Sequence, residues 1–104
     1  MNIKDLDLQF LKSKTILVTG ASRGIGKALA EKLLDLGNIV IGTSRNLNSL
    51  ENLAEKFTRN FYPMELDLES TEAIANLSHE LIKKFEKIDV LVCNAGVLGE
   101  IKKI

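Results

Sequence analysis

Short apolar runs alternate along this chain with stretches in which apolar residues recur at helical spacing. Between the runs, this spacing predicts helices that begin at Gly24, near Asn48 and after Ser70. The alternation of strand and helix predicts right-handed βαβ crossovers, and therefore an α/β domain with a parallel sheet and helices on both faces. The runs are short and rich in β-branched residues, as in strands buried on both faces, and they cover residues 15–19, 39–43, 61–66 and 88–93.

Local signals refine the ends of these elements. Asn48, followed three residues later by Glu51, has the pattern of a capping box that opens the second helix. Ser70 is a suitable N-cap for the third helix, and Pro63 cannot donate to a sheet ladder, which places the third strand at an edge. The third helix is expected to bury its apolar residues Ile74, Leu77, Leu81, Ile82 and Phe85.

The length of 104 residues fits one domain and not two. We assign residues 15–104 to this α/β domain and residues 1–14 to an N-terminal extension. In that extension Ile3, Leu6 and Phe10 have the spacing of a short helix.

Composition excludes several classes of function. Lys plus Arg equals Asp plus Glu, at 14 each, so no bulk charge favours a nucleic acid or an anionic membrane as partner. One cysteine and one histidine form neither an internal disulfide nor a Cys/His zinc site. Because no run reaches the length of a membrane span and the first residues lack the apolar core of a signal peptide, we expect a cytoplasmic protein.

The segment from Thr19 to Gly26 is a glycine-rich turn between the first strand and the first helix. Gly20 permits backbone angles that a side chain would penalise. Gly24 removes a Cβ where a pyrophosphate would approach the amides of the helix N-terminus, and Gly26 permits close packing of helix on sheet. A tight turn without a ligand would also explain three glycines, but the position between a buried strand and a helix favours a phosphate site.

Two other phosphate-binding patterns do not match this turn. The G-x-G-x-x-G spacing is absent, because Ala21 and Ser22 follow Gly20. The pair Gly26-Lys27 suggests a P-loop, but five residues rather than four separate the glycines, and Ala28 stands where that motif needs a hydroxyl. A nucleoside triphosphatase is therefore disfavoured.

Three segments together resemble the short-chain dehydrogenase/reductase family. They are the T-G-x-x-x-G-x-G pattern of residues 19–26, the Asp67-Leu68 pair after the third strand, and Cys93-Asn94-Ala95-Gly96 after the fourth. The last resembles the family's N-N-A-G motif with Cys93 in place of the first Asn, and a thiol does not reproduce the paired donor and acceptor of an amide. The resemblance implies a Rossmann-type doubly wound parallel sheet, truncated here after the fourth strand. It implies cofactor contacts at Gly20, Ala21, Ser22, Arg23, Gly24, Ile25, Gly26, Arg45, Asp67, Leu68, Asn94, Ala95 and Gly96.

The residues after the second strand favour NADP over NAD as the cofactor. NAD sites of this fold place a carboxylate there to bind the ribose 2′-hydroxyl, whereas NADP sites offer an arginine. This chain has Arg45 and no acid at that point, and Arg23 in the glycine-rich turn supplies a second cation. Each arginine alone would also be explained as a solvated surface charge.

Three further residues have structural explanations that compete with a functional one. His79 lies on the polar side of its helix and is expected to face solvent. Cys93 is expected to pack as a small apolar residue rather than to act as a reactive thiol. The resemblance gives Asp67 a contact with the adenine ring, although an aspartate there would also support a turn.

The resemblance implies hydride transfer between NADPH and a carbonyl or alcohol substrate, with a Tyr-x-x-x-Lys pair as the catalytic residues. This chain has one tyrosine, Tyr62, and the residue four positions later is Leu66, so we name no catalytic residue and expect the chain alone to be inactive. The expectation is the cofactor-binding half of an NADP-dependent oxidoreductase, from a truncated or split reading frame or a fragment. The alternatives are a non-catalytic dinucleotide-binding module and an inactive gene fragment. The family's oligomer interface is expected to be missing, and the fourth strand to have an uncovered edge.

Overall fold

The computed structural model describes residues 7–95 and 98–103, with side chains as far as Cys93. Strands and helices alternate as the apolar pattern predicts. The elements are β1 (Thr15–Val18), α1 (Gly24–Asp35), β2 (Ile39–Ser44), a 3₁₀ helix (Leu47–Leu50), α2 (Glu51–Lys56), β3 (Phe61–Glu65), α3 (Thr71–Lys84), β4 (Val90–Ala95) and β5 (Leu98–Lys103).

One sheet holds all five described strands in the order β3-β2-β1-β4-β5. The pairings among β3, β2, β1 and β4 are parallel, which confirms the Rossmann-type α/β fold and the position of β3, with its Pro63, at an edge. The expectation of an uncovered edge at β4 is wrong, because β5 pairs with β4 in antiparallel register from Val90–Lys103 to Ala95–Leu98. A parallel neighbour requires a crossover, whereas an antiparallel one follows from a short turn.

The two faces of the sheet carry separate apolar clusters. Ile16 and Val18 of β1 point to the face covered by α1 and α2, while Leu17 points to the face covered by α3. This alternation follows from the two-residue period of a strand. The helices therefore lie on both faces, as a doubly wound sheet requires.

The cluster on the face covered by α1 and α2 is the first apolar cluster, and the N-terminal segment packs into it through Leu8 and Leu11, both buried. The short helix expected there is not present in residues 7–14, which contain only a turn, and Phe10 is exposed. Ile3 and Leu6 lie outside the described residues. The fully buried side chain of Asn38 fixes this segment, because its amide nitrogen donates to the carbonyls of Leu11 (2.8 Å) and Leu33 (2.9 Å).

Of the two helix caps expected from the sequence, one differs in the structure and one is confirmed. The cap before the 3₁₀ helix is Asn46, whose Oδ1 accepts from the amide of Asn48 at 3.0 Å, so the predicted capping box from Asn48 is wrong. An asparagine two residues before a free amide closes a local turn of its own and begins the helical segment earlier. Ser70 caps α3 as predicted, because its hydroxyl accepts from the amide of Ala73 at 3.1 Å.

The buried face of α3 is narrower than its apolar residues suggest. Leu77 and Leu81 are buried and Phe85 packs against them, but Ile74 and Ile82 are 40% and 77% exposed. Successive helical residues are rotated by about 100°, so Ile82 turns away from the stripe formed by Leu77 and Leu81. Ile74 lies in line with that stripe, but in the first turn of α3, one turn before Leu77.

Asp89 joins the beginnings of β1 and β4. Its carboxylate accepts from the amide of Thr15 at 2.9 Å, and its own amide donates to the Thr15 carbonyl at 2.8 Å. The Thr15 amide lowers the pKa of Asp89 below the ordinary aspartate value, assisted by the ammonium groups of Lys87 and Lys14 against partial desolvation.

Candidate nucleotide-binding site

A cleft of about 790 Å³ opens where β1, β2 and β3 end. The carboxyl ends of parallel strands are where open α/β sheets bind ligands, and the volume lies within the usual range for small-molecule sites. Its lining residues come from the glycine-rich turn, the end of β2 and the segment after β3: Gly20, Ser22, Arg23, Gly24, Ile25, Thr43, Ser44, Arg45, Asn46, Ser49, Leu66, Asp67, Leu68 and Glu69.

The glycine-rich turn needs glycine at two points for conformational reasons. Gly20 and Gly24 have φ angles of +67° and +62°, in the left-handed region that L side chains rarely adopt. A Cβ built on Gly24 would meet no heavy atom within 4 Å. The space beside Gly24 is therefore open to the cleft, which leaves room for a ligand against the backbone.

Within the described part of the chain, no capping or acidic side chain of its own neutralises the N-terminus of α1. Its N-cap residue, Arg23, has extended backbone angles and makes no side-chain capping hydrogen bond, and the first turn contains no acid. The amides of a first helical turn have no carbonyl partner inside the helix, and the helix dipole adds positive potential there. A phosphate group fits these properties.

Arg45 follows β2 directly and lies at the same cleft as Arg23. Both side chains are exposed, and neither forms an ion pair with a carboxylate in the described part of the chain. The end of β2 carries hydroxyl side chains, Thr43 and Ser44, where an NAD site would place an acid. The acids that line the cleft, Asp67 and Glu69, come from the segment after β3.

Asp67 also supports a turn. Its Oδ1 accepts from the amide of Glu69 at 3.0 Å, and its carbonyl accepts from the amide of Ser70 at 3.0 Å. These bonds fix the loop that leads from β3 to α3 and hold Leu68, which is 46% exposed, beside the cleft. The turn-forming interpretation of Asp67 is thus present in the structure, and contact with an adenine ring stays a prediction.

The cleft collects eight of the thirteen residues predicted to contact a cofactor: Gly20, Ser22, Arg23, Gly24, Ile25, Arg45, Asp67 and Leu68. Ala21 and Gly26 are buried behind it. Asn94 and Ala95 close β4 opposite Gly99 and Leu98 of β5, and their side chains, with Gly96, lie outside the described residues.

The sequence interpretation missed Thr43, Ser44, Asn46, Ser49, Leu66 and Glu69 as lining residues. Their position at or shortly after the carboxyl ends of two neighbouring parallel strands, β2 and β3, was the available signal, because such ends meet at one edge of the sheet. His79 is exposed as expected, and Cys93 is half-buried. Among the residues described, no three His, Cys, Asp or Glu side chains converge as metal ligands, and no helix has the length and apolar character to cross a membrane.

A parallel doubly wound sheet with a glycine-rich turn at the head of α1 defines a Rossmann-type nucleotide-binding domain. Comparison with protein families identifies the family of this domain: the profile for short chain dehydrogenase matches residues 14–104. The chain belongs to the short-chain dehydrogenase family.

Individual relatives agree with this assignment. The chain is 37% identical over 90 residues to the 3-oxoacyl-(acyl-carrier-protein) reductase FabG of Buchnera aphidicola, covering 86% of this chain and 37% of that protein. It is 37% identical over 87 residues to a probable NADP-dependent dehydrogenase of Haemophilus influenzae, covering 84% and 34%. A metagenomic short-chain oxidoreductase solved in complex with NADP superposes with a TM-score of 0.77 at 37% identity, covering 84% of this chain and 41% of that one. The chain thus spans little more than a third of the length of the curated relatives it matches.

Proposed function

We propose that this chain binds NADP and forms the cofactor-binding part of an NADP-dependent short-chain oxidoreductase. The observation that carries the proposal is one cleft that contains the uncapped N-terminus of α1 and two arginines without carboxylate partners among the described residues. The names of the Haemophilus relative and of the metagenomic complex support NADP over NAD.

Each part of the dinucleotide has a matching group in the cleft. The pyrophosphate fits the first turn of α1, where the backbone at Gly24 is open. The 2′-phosphate fits Arg45, whose planar guanidinium binds phosphate through two parallel hydrogen bonds, with Arg23 as a second cation. The adenine fits beside Leu68, an exposed apolar side chain next to Asp67.

NADPH supplies a hydride, and the residues of this chain bind and orient the cofactor that carries it. Reduction of a carbonyl also needs a proton donor. Tyr62 does not fit that role, because its ring packs edge-on against Phe85 at a centroid distance of 5.2 Å, and it does not line the cleft. We therefore assign proton donation and binding of the carbonyl or alcohol substrate to residues outside this cleft.

Calorimetric titration of the purified chain with NADP and with NAD tests the proposal. We expect NADP to bind more tightly by about tenfold or more, the usual effect of one charge-assisted phosphate contact. Competition by adenosine 2′,5′-bisphosphate but not by adenosine 5′-monophosphate would attribute the difference to the 2′-phosphate. Equal affinities for NADP and NAD would contradict the proposed preference for NADP. Absence of saturable binding of either cofactor would contradict the proposed nucleotide-binding function.

A further inference from the structure

The side chain of Ser49 belongs to a ring of hydrogen bonds around the backbone of Arg45. Ser49 Oγ donates to the Asn46 carbonyl and lies 2.8 Å from Ser44 Oγ, and the Asn46 amide donates to Ser44 Oγ at 3.3 Å. Ser44 and Asn46 are the two neighbours of Arg45 in the chain. The ring therefore closes on both sides of the residue that carries the guanidinium.

Proton counting fixes the direction of each bond. A serine hydroxyl has one proton, and that of Ser49 goes to the Asn46 carbonyl, which can only accept. The contact between the hydroxyls must then be donated by Ser44 to Ser49. Ser44 at the same time accepts from the Asn46 amide. The Ser49 hydroxyl is bonded to both neighbours of Arg45, and loss of this hydroxyl breaks both bonds.

We infer that Ser49 is a positioning residue for NADP selectivity: its hydroxyl holds the turn that presents Arg45 to the 2′-phosphate. This inference rests on the proposed function. NAD has no 2′-phosphate and makes no use of Arg45, so its affinity should not depend on the ring. The ring fixes the backbone from which the Arg45 side chain extends, and a backbone that is ordered before binding reduces the entropy lost on binding. Removal of the ring should therefore weaken NADP alone.

The fold provides little reason for Ser49→Ala to unfold the protein. Ser49 is exposed, and the 3₁₀ helix is held by the fully buried Leu50 and by the backbone bond from the Ser49 amide to the Asn46 carbonyl at 3.1 Å. Ser78→Ala is a matched control. Ser78 is also exposed, and its hydroxyl also donates to a backbone carbonyl, that of Ile74 at 3.1 Å, but it lies on α3 and outside the cleft.

The experiment titrates NADP and NAD into the wild-type chain, Ser49→Ala, Ser49→Thr and Ser78→Ala. We expect Ser49→Ala to lower NADP affinity by about two- to tenfold and to leave NAD affinity within about twofold. Ser49→Thr keeps the hydroxyl and should restore the NADP/NAD ratio, and Ser78→Ala should match the wild type.

Three outcomes would overturn the inference and leave the proposed function intact: an unchanged ratio in Ser49→Ala, an equal loss for both cofactors, or failure of Ser49→Thr to restore the ratio. A wild-type chain that binds neither cofactor, or prefers NAD, overturns the proposed function and the inference with it. The wild-type titration therefore distinguishes the two failures.

Discussion

The backbone amide of Ala21 donates a hydrogen bond of 2.9 Å to the carbonyl of Thr43. Ala21 belongs to the glycine-rich turn, and Thr43 lies two residues before Arg45, so this bond joins the two parts of the cleft that would hold the pyrophosphate and the 2′-phosphate. A fixed separation between these two parts allows one ligand to contact both without the entropy cost of ordering the two parts of the protein.

The first prediction concerns the charge at Arg45. Arg45→Asp should invert the cofactor preference, because it removes a contact worth about 1.5–3 kcal/mol, or about ten- to a hundredfold in affinity, repels the phosphate and offers the 2′-hydroxyl of NAD an acceptor. Titrations with both cofactors at low and high salt measure it, since an exposed charge pair weakens as ionic strength rises.

Arg59→Asp is the matched control for Arg45→Asp. It makes the same change of charge at an exposed residue outside the cleft, so the NADP/NAD ratio should stay that of the wild type. Equal ratios in the Arg45 variant and the wild type would show that Arg45 does not contribute to selectivity.

A second prediction concerns the close packing at Gly42 of β2. A Cβ there would lie 2.5 Å and 2.7 Å from two ring atoms of Phe61 and 3.0 Å from the Cβ of Ala21. Phe61 is buried in the first apolar cluster, among other packed side chains. Gly42→Ala should therefore destabilise the fold by about 1–3 kcal/mol, measured by denaturant unfolding.

Because Ala21 is one of the crowded neighbours, Gly42→Ala should also weaken nucleotide binding, although Gly42 does not line the cleft. The double variant Gly42→Ala/Phe61→Leu tests the cause. If ring overlap is responsible, the double variant should lose less stability than the sum of the losses in Gly42→Ala and Phe61→Leu alone. Strict additivity would mean that another contact is disturbed.

The sequence predicted the sheet well because buried parallel strands leave a strong signal. The runs that became β1 and β2 each contain three consecutive apolar residues, and Gly24 has the positive φ angle for which the motif requires glycine. The antiparallel β5 was not predicted, because its segment, LGEIKK, lacks the continuous apolar character of the others. Its pairing depends on β4, which is a property of the assembled sheet.

The candidate site was predicted where glycine and arginine mark it and missed where only polar loop residues form it. Ser44 and Ser49 look like ordinary solvent-exposed loop residues in the sequence. Their contact beside Arg45 depends on a hydrogen bond between Ser44 and Ser49, which lies in the 3₁₀ helix. That helix begins after Asn46, which caps it in place of the expected Asn48. Such local competition between caps is not resolved by spacing alone.

A third prediction concerns catalysis by the 104-residue chain itself. With NADPH and a carbonyl compound, the purified chain should show no carbonyl-dependent NADPH oxidation, because a missing proton donor alone lowers rates by about a hundred- to ten-thousandfold. Loss of NADPH absorbance with and without the carbonyl measures it. Steady carbonyl-dependent oxidation would contradict the prediction, and its abolition in Tyr62→Phe would assign the donor to Tyr62.

The last prediction concerns pH and Asp89. The folded-state pKa of Asp89 is lowered, chiefly by the hydrogen bond from the Thr15 amide, so the ionised carboxylate stabilises the folded chain. That contribution is fully present above the unfolded aspartate pKa of about 3.9, and it is lost as the pH falls through the lower folded value. Asp89→Asn keeps an acceptor for Thr15 but removes the charge, so it should be less stable than the wild type at neutral pH.

Free energies of unfolding from denaturant titrations at several pH values test this. The difference between wild type and Asp89→Asn should be constant above about pH 5 and shrink below about pH 4, because a protonated Asp89 resembles the asparagine. Asp35→Asn, which changes an exposed acid at the end of α1, serves as the control and should show a small difference at neutral pH. A wild-type advantage over Asp89→Asn that persists undiminished into strong acid would mean that the shape of the Asp89 side chain, and not its charge, joins β1 to β4.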